Sequence, residues 1–293
     1  MMGDYEGFIA AKTSPSMACG FDVEDVNAAL FDWQAAVVKW AIRRGRDALF
    51  EDCGLGKTFQ QLEWARHIPG KVLILTPLAV AEQTMAEAQR FGIEATVSRD
   101  GSVGGQITIT NYQRLHLFDL SQFAGLVLDE SSILKSHNGA TRTAIIDAAQ
   151  SIPYRLACTA TPAPNDHMEL GNHAEFLGVM SRAEMLARFF THDGGDTSKW
   201  RLKKHGVADF WQWVATWAMV VRTPSDIGFD GSKFALPKLV TNEHIVSTGI
   251  VKEGELFTLP VLSLNDQRRA RKSTMAARVD VVAKEANETP GPW

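Results

Sequence analysis

Between Asn27 and Gln150 short apolar runs alternate with stretches of helical periodicity, and this alternation leaves the chain few architectures. The runs are DALFE, KVLILT, QITITN and GLVLDE, with YRLACTA following soon after. Among them lie FDWQAAVVKWAIRR, KTFQQLEWARHI, LAVAEQTMAEAQRF and TRTAIIDAAQ, each with apolar residues at helical spacing. Asp32 is the expected N-terminal cap of the first helix, and Pro69-Gly70 the stop of the second. Strands joined through helices lie parallel, because each crossover returns the chain to the same end of the sheet. KVLILT shows no polar alternation, as expected of a strand covered on both faces. The expected fold is therefore α/β, a parallel β-sheet flanked by helices, with a helical C-terminal extension. Such sheets bind ligands at the carboxyl ends of their strands.

Composition narrows the partners. Thirty basic residues face 34 acidic ones, a net charge of −4, so nucleic-acid binding would have to come from local patches or backbone groups. The 293 residues are 45% hydrophobic, enough for a sizeable core. Three cysteines without CxxC spacing suggest neither a zinc site nor a disulfide framework and point to a reducing compartment. No apolar run reaches the roughly 18 residues of a membrane span, and the N-terminus lacks the marks of a signal peptide. A cytoplasmic protein with no membrane partner is expected, in a bacterial or phage-infected cell.

Three segments at strand ends carry chemistry. EDCGLGKT follows DALF and opens a helix, so Gly54 and Gly56 would let the backbone wrap a phosphate. Lys57 would then reach the β- and γ-phosphates and the Thr58 hydroxyl would bind Mg²⁺. The usual pattern GxxxxGKS/T has a glycine where this chain has Glu51, which weakens the match. GLVLDESS places Asp129 and Glu130 at another strand end, where one carboxylate would hold Mg²⁺ and the other polarise the attacking water. LACTATPAPN places Thr159 and Thr161 beside Pro162 at a third.

In the order Gln34, EDCGLGKT, ILTPLAV, ITNYQ, LDESS, CTATPAPN, the chain resembles the first RecA-like domain of superfamily-two helicases. The likeness is to Swi/Snf-type ATPases, and among those to the compact phage and prophage versions. Their glycine loop reads DEMGLGKT, so Glu51 fits there. The resemblance implies a RecA-like P-loop NTPase domain that uses ATP and Mg²⁺. It implies a nucleotide set of Gln34 (reading adenine), Gly54, Leu55, Gly56, Lys57 and Thr58. Lys57, Asp129 and Glu130 become catalytic, with Thr58 and Asp129 as the metal pair. Thr76, Pro77, Thr110, Asn111 and Tyr112 fall where the family contacts the nucleic-acid backbone, and Ser132, Thr159 and Thr161 where ATP state is coupled to DNA grip. Ser132 stands where the family commonly has His. The implied function is a DNA helicase or translocase, acting on DNA that is expected to be double-stranded.

The expected domains are 1–26, an N-terminal segment; 27–180, the RecA-like domain; 181–274, a helical and loop extension; and 275–293, the start of a second RecA-like domain. In the extension, THDGGDTSKWRLKKHG reads as a polar loop and ADFWQWVATWAMVVR as one helix. Phe210, Trp213 or Val214, and Trp217 recur at helical spacing and belong in a core, with Trp211 pointing elsewhere. The resemblance further implies a partner, a second RecA-like domain or polypeptide supplying an arginine finger, without which turnover would be poor. Two alternatives stay open: a weakly catalytic, ATP-gated DNA-binding module, and a P-loop ATPase that does not act on nucleic acid.

Overall fold

A computed structural model describes residues 18–135, 139–193, 196–235, 241, 243–246 and 263–289. The chain divides into two units, Met1–Ala235 and Leu236–Trp293. In the first, α1 (Asp32–Arg44) leads into β1 (Arg46–Glu51), and α2 (Lys57–His67) into β2 (Val72–Thr76). α3 (Ala81–Arg90), β3 (Ala95–Val97), β4 (Ile107–Asn111) and β5 (Gly125–Asp129) follow. α4 (Ala140–Ala149), β6 (Tyr154–Thr159), α5 (Leu170–Leu177) and α6 (Arg182–Phe189) come next. The unit closes with a hairpin of β7 (Phe190–Asp193) and β8 (Asp196–Leu202), then α7 (Val207–Ala215) and β9 (Ala218–Val221).

Seven strands form one parallel sheet in the order β3-β4-β2-β5-β6-β1-β9. Alternate residues of each strand face two separate cores. Ala48, Phe50, Leu73 and Leu128 pack with α4, α5, α6 and α7, whereas Leu49, Ile74, Val127 and Leu156 pack with α1, α2 and α3. Every residue of β2 is buried, which is why its sequence has no polar alternation. The two faces together make a three-layer α/β domain with β1, β2, β5 and β6 at its centre.

Three expectations are corrected. Asp32 is not the cap of α1. Phe31 holds that position with extended backbone, and Gln34 accepts its N–H at 3.0 Å, leaving Asp32 in the first turn where its charge suits the helix dipole. ADFWQWVATWAMVVR is not one helix, because AMVV leaves it to pair with β1 at the sheet edge, burying Ala218 and Val221. The apolar pattern suits either element, and the open edge of β1 decides between them. THDGGDTSKWRL contains a β-hairpin in which Phe190 faces Leu202, and the His192 and Trp200 rings lie 3.8 Å apart. Phe210, Val214 and Trp217 are buried while Trp211 is 42% exposed, as their spacing implies.

In the second unit, α8 (Leu264–Ser273) is capped by the Ser263 hydroxyl on Asp266 N, and α9 (Met275–Glu288) follows. The strand-like GIVKEGELFTLP and the Leu236–Lys238 segment lie outside the described residues. Among the described residues no helix is long and apolar enough to cross a membrane.

Candidate nucleotide site

The glycine loop leaves the carboxyl end of β1 and turns directly into α2. Gly54 and Gly56 both take φ of 81°, a left-handed conformation costly for other residues. A Cβ on Gly56 would also meet Gln34 Nε2 at 2.5 Å. The Lys57 ammonium donates to the carbonyls of Glu51 (2.8 Å) and Asp52 (2.9 Å), so it is folded back over its own loop. Neutral carbonyls are weaker partners than anionic phosphate oxygens, so the ammonium is free to exchange them. Thr58 is half-buried in the first turn of α2.

Beneath the loop lies a network that the sequence did not reveal. The Leu55 carbonyl accepts from both Gln34 Nε2 (2.8 Å) and Gln60 Nε2 (3.2 Å). Gln60 also donates to Glu51 Oε2 at 2.7 Å, and Glu51 is fully buried with Oε1 unpaired. Burial pushes the Glu51 carboxyl up to about 7, against the opposing pull of Gln60 and Lys57. The folded state thus keeps a proton that the unfolded chain releases above pH 4.5. Stability contributed by that proton is lost as pH rises from 4.5 to about 7. Glu51→Gln keeps an acceptor for Gln60 and removes the charge. It should stabilise the fold at pH 8 by about 3 kcal/mol and flatten the Glu51 share of the pH dependence, measured by chemical denaturation at pH 5 and 8. An unchanged pH dependence would contradict the protonated assignment.

Asp129 and Glu130 lie at the end of β5, two strands from the loop. Burial raises the Asp129 carboxyl above its ordinary value; the adjacent Gln61 amide and Lys57 oppose this, and Glu130 adds to it. Glu130 has φ 57°, the only positive value among the described non-glycine residues. Its Oε1 accepts from Thr159 Oγ1 at 2.6 Å, and Thr159 Oγ1 in turn accepts from Thr161 N at 3.0 Å. The acidic turn is thereby tied to the loop after β6. The tie runs through Glu130 itself and not through Ser132, which is half-buried. Ser131 instead meets His173 Nε2 at 3.1 Å in the interior, a partner with no local sequence signal because it lies 42 residues away.

The row read as nucleic-acid contacts is turned inward. Thr76, Thr110, Asn111 and Tyr112 are buried. Thr76 donates to the carbonyls of Pro77 and Thr110, Thr110 to Ser98 O, and Tyr112 OH to Asp129 O at 2.6 Å. Pro77 is half-buried. Beside this row a cleft of about 180 Å³ is lined by residues that include Leu78, Arg99, Asn111 and Arg114. Any contact with a nucleic acid from these strand ends therefore falls to backbone groups and to such neighbours.

No protein-family profile matches the chain. A solved structure, the Sulfolobus solfataricus SWI2/SNF2 ATPase core in complex with dsDNA, superposes with a TM-score of 0.57 at 21% identity. It covers 69% of this chain and 47% of its own. The Drosophila melanogaster ATP-dependent helicase brm is 24% identical over 180 residues, taking in 52% of this chain. The chain shares the fold of that SWI2/SNF2 ATPase core. The UvsW helicase of bacteriophage T4 aligns more loosely, with a TM-score of 0.43 at 14% identity over 62% of this chain. The chain spans 11% of the fly protein's length and under half of the archaeal core.

Proposed function

We propose that this domain binds ATP with Mg²⁺ at Gly54–Thr58 and hydrolyses it under the control of duplex DNA, driving translocation. A second RecA-like domain, on this protein or another polypeptide, would close the site with an arginine finger. The observation that carries the reading is the hydrogen-bonded chain Glu130–Thr159–Thr161, which links an acidic strand end to a neighbouring loop across from a glycine loop and its lysine. Lys57 exchanges its two carbonyls for phosphate oxygens, and the Gln34 amide, now on Leu55 O, lies beside Gly56 to read the base. Thr58 and Asp129 would hold Mg²⁺, which would neutralise phosphate charge. A hydroxyl with one carboxylate is the sparse protein set that Mg²⁺ accepts, and a carboxyl penalised by burial is relieved by a cation. Glu130 accepts the proton of the attacking water as its oxygen bonds the γ-phosphorus and the bond to ADP breaks.

The dsDNA bound in the archaeal structure is the support for a duplex partner here. Backbone groups at Thr76–Pro77 and Thr110–Tyr112, with Arg99 and Arg114 nearby, would contact its phosphates. Steady-state ATP turnover with and without duplex DNA tests the proposal. Stimulation of about tenfold or more is expected of a motor whose closure depends on its track. Turnover indifferent to DNA would favour an ATPase that does not act on nucleic acid. Tight DNA binding with negligible turnover would favour an ATP-gated binding module.

A further inference from the structure

Glu130 occupies a conformation that a residue with a Cβ avoids, so something must hold it there. On its N-terminal side the peptide carbonyl of Asp129 accepts from Tyr112 OH at 2.6 Å. The Tyr112 ring is packed into the core at the end of β4, so this donor is fixed. On the C-terminal side Ser131 Oγ is bonded to His173 Nε2 at 3.1 Å, and both residues are fully buried. The Phe50 ring stands edge-on to the imidazole at 5.2 Å and fixes its plane. We infer that these two buried braces, Tyr112 on the Asp129 carbonyl and His173 on Ser131, force the left-handed turn that aims Glu130 at Thr159. Tyr112 and His173 are then positioning residues for hydrolysis, which rests on the proposed ATPase reading.

Burial pushes His173 down to about 4, so the brace is neutral at physiological pH and adds no charge beside the Glu130 carboxylate. Tyr112 follows Thr110 and Asn111 directly, so displacement of the β4 end by a bound nucleic acid would reach the hydrolysis turn through one hydrogen bond. A tyrosine serving as a DNA contact has no need of that bond, and the two roles separate in experiment.

Tyr112→Phe removes one hydroxyl and Ser131→Ala another, with the packing kept. Each should lower DNA-stimulated kcat about tenfold, with KM for ATP and affinity for duplex DNA within about twofold. Combined, the two should lower kcat less than the product of the singles, because both act on one turn. His173→Gln, which keeps a polar atom for Ser131, should lose less than His173→Leu. Weakened DNA affinity with unchanged kcat in Tyr112→Phe would make Tyr112 a DNA contact and overturn the inference.

A second readout does not need turnover. Glu130→Gly and Glu130→Ala both lose the carboxylate, and only alanine keeps the strained Cβ. The glycine variant should therefore melt higher by about 2 °C. That gap should close when Tyr112→Phe and Ser131→Ala are also present. Equal melting of the two variants in the wild-type background would overturn the brace. Should the wild type show no DNA-stimulated turnover, the functional reading falls and this comparison still decides the brace.

Discussion

Glu130→Gln is expected to lower ATP turnover by about 10² to 10⁴-fold while leaving nucleotide affinity nearly unchanged. The substitution is unusually selective here. Glu130 Oε1 accepts from Thr159 Oγ1, and the glutamine amide oxygen can take the same bond, so the tie from the acidic turn to Thr161 survives. What is lost is a carboxylate able to receive the proton of the attacking water. The side chain is bonded to Thr159, and Lys57 to the carbonyls of its own loop, so binding of ATP has no reason to weaken. Single-turnover hydrolysis beside a nucleotide titration separates the two quantities. Turnover within twofold of wild type would remove Glu130 from the reaction and with it the assigned role of the acidic motif.

Lys57→Ala should fail one step earlier. Its ammonium lies over the loop between Glu51 and Thr58, held by two backbone carbonyls. Removing it deletes a charge-assisted contact to phosphate of about 1.5–3 kcal/mol, or about 10- to 100-fold in affinity. The fold should stay intact, because the hydrogen bonds of Lys57 go to backbone carbonyls and α2 is anchored by its buried run from Phe59 to Ala65. A melting temperature within a few degrees of wild type is expected. Collapse of the fold instead would mean that the lysine serves the loop's architecture.

The central sheet was legible because its strands are short, largely apolar runs bounded by helical patterns. β1, β2, β4, β5 and β6 fall within a residue or so of the runs that announced them. β9 was not legible, since AMVV continues the apolar pattern of a helix and becomes a strand only beside the edge of β1. The hairpin of β7 and β8 was hidden by glycine and charge in a segment that reads as a loop. In the site, Gly54, Gly56 and Lys57 announce themselves because backbone conformation and charge require those residue types at that spacing. Gln60, Glu51 and His173 do not, because each acquires its role from a partner that only the fold supplies. The helicase-like row from Thr76 to Tyr112 carried a different lesson. Its position at the strand ends was readable, whereas the inward turn of its side chains follows from packing against Ser98 and Asp129.

The central claim is that the loop from Gly54 to Thr58 is a nucleotide site. A calorimetric titration of the chain with Mg-ADP, repeated on Lys57→Ala, addresses it without requiring DNA, a second domain or turnover. Saturable binding of one nucleotide per chain, weakened by at least about tenfold in the variant, is the predicted result. No binding by the wild type, or equal binding by both, would contradict the account.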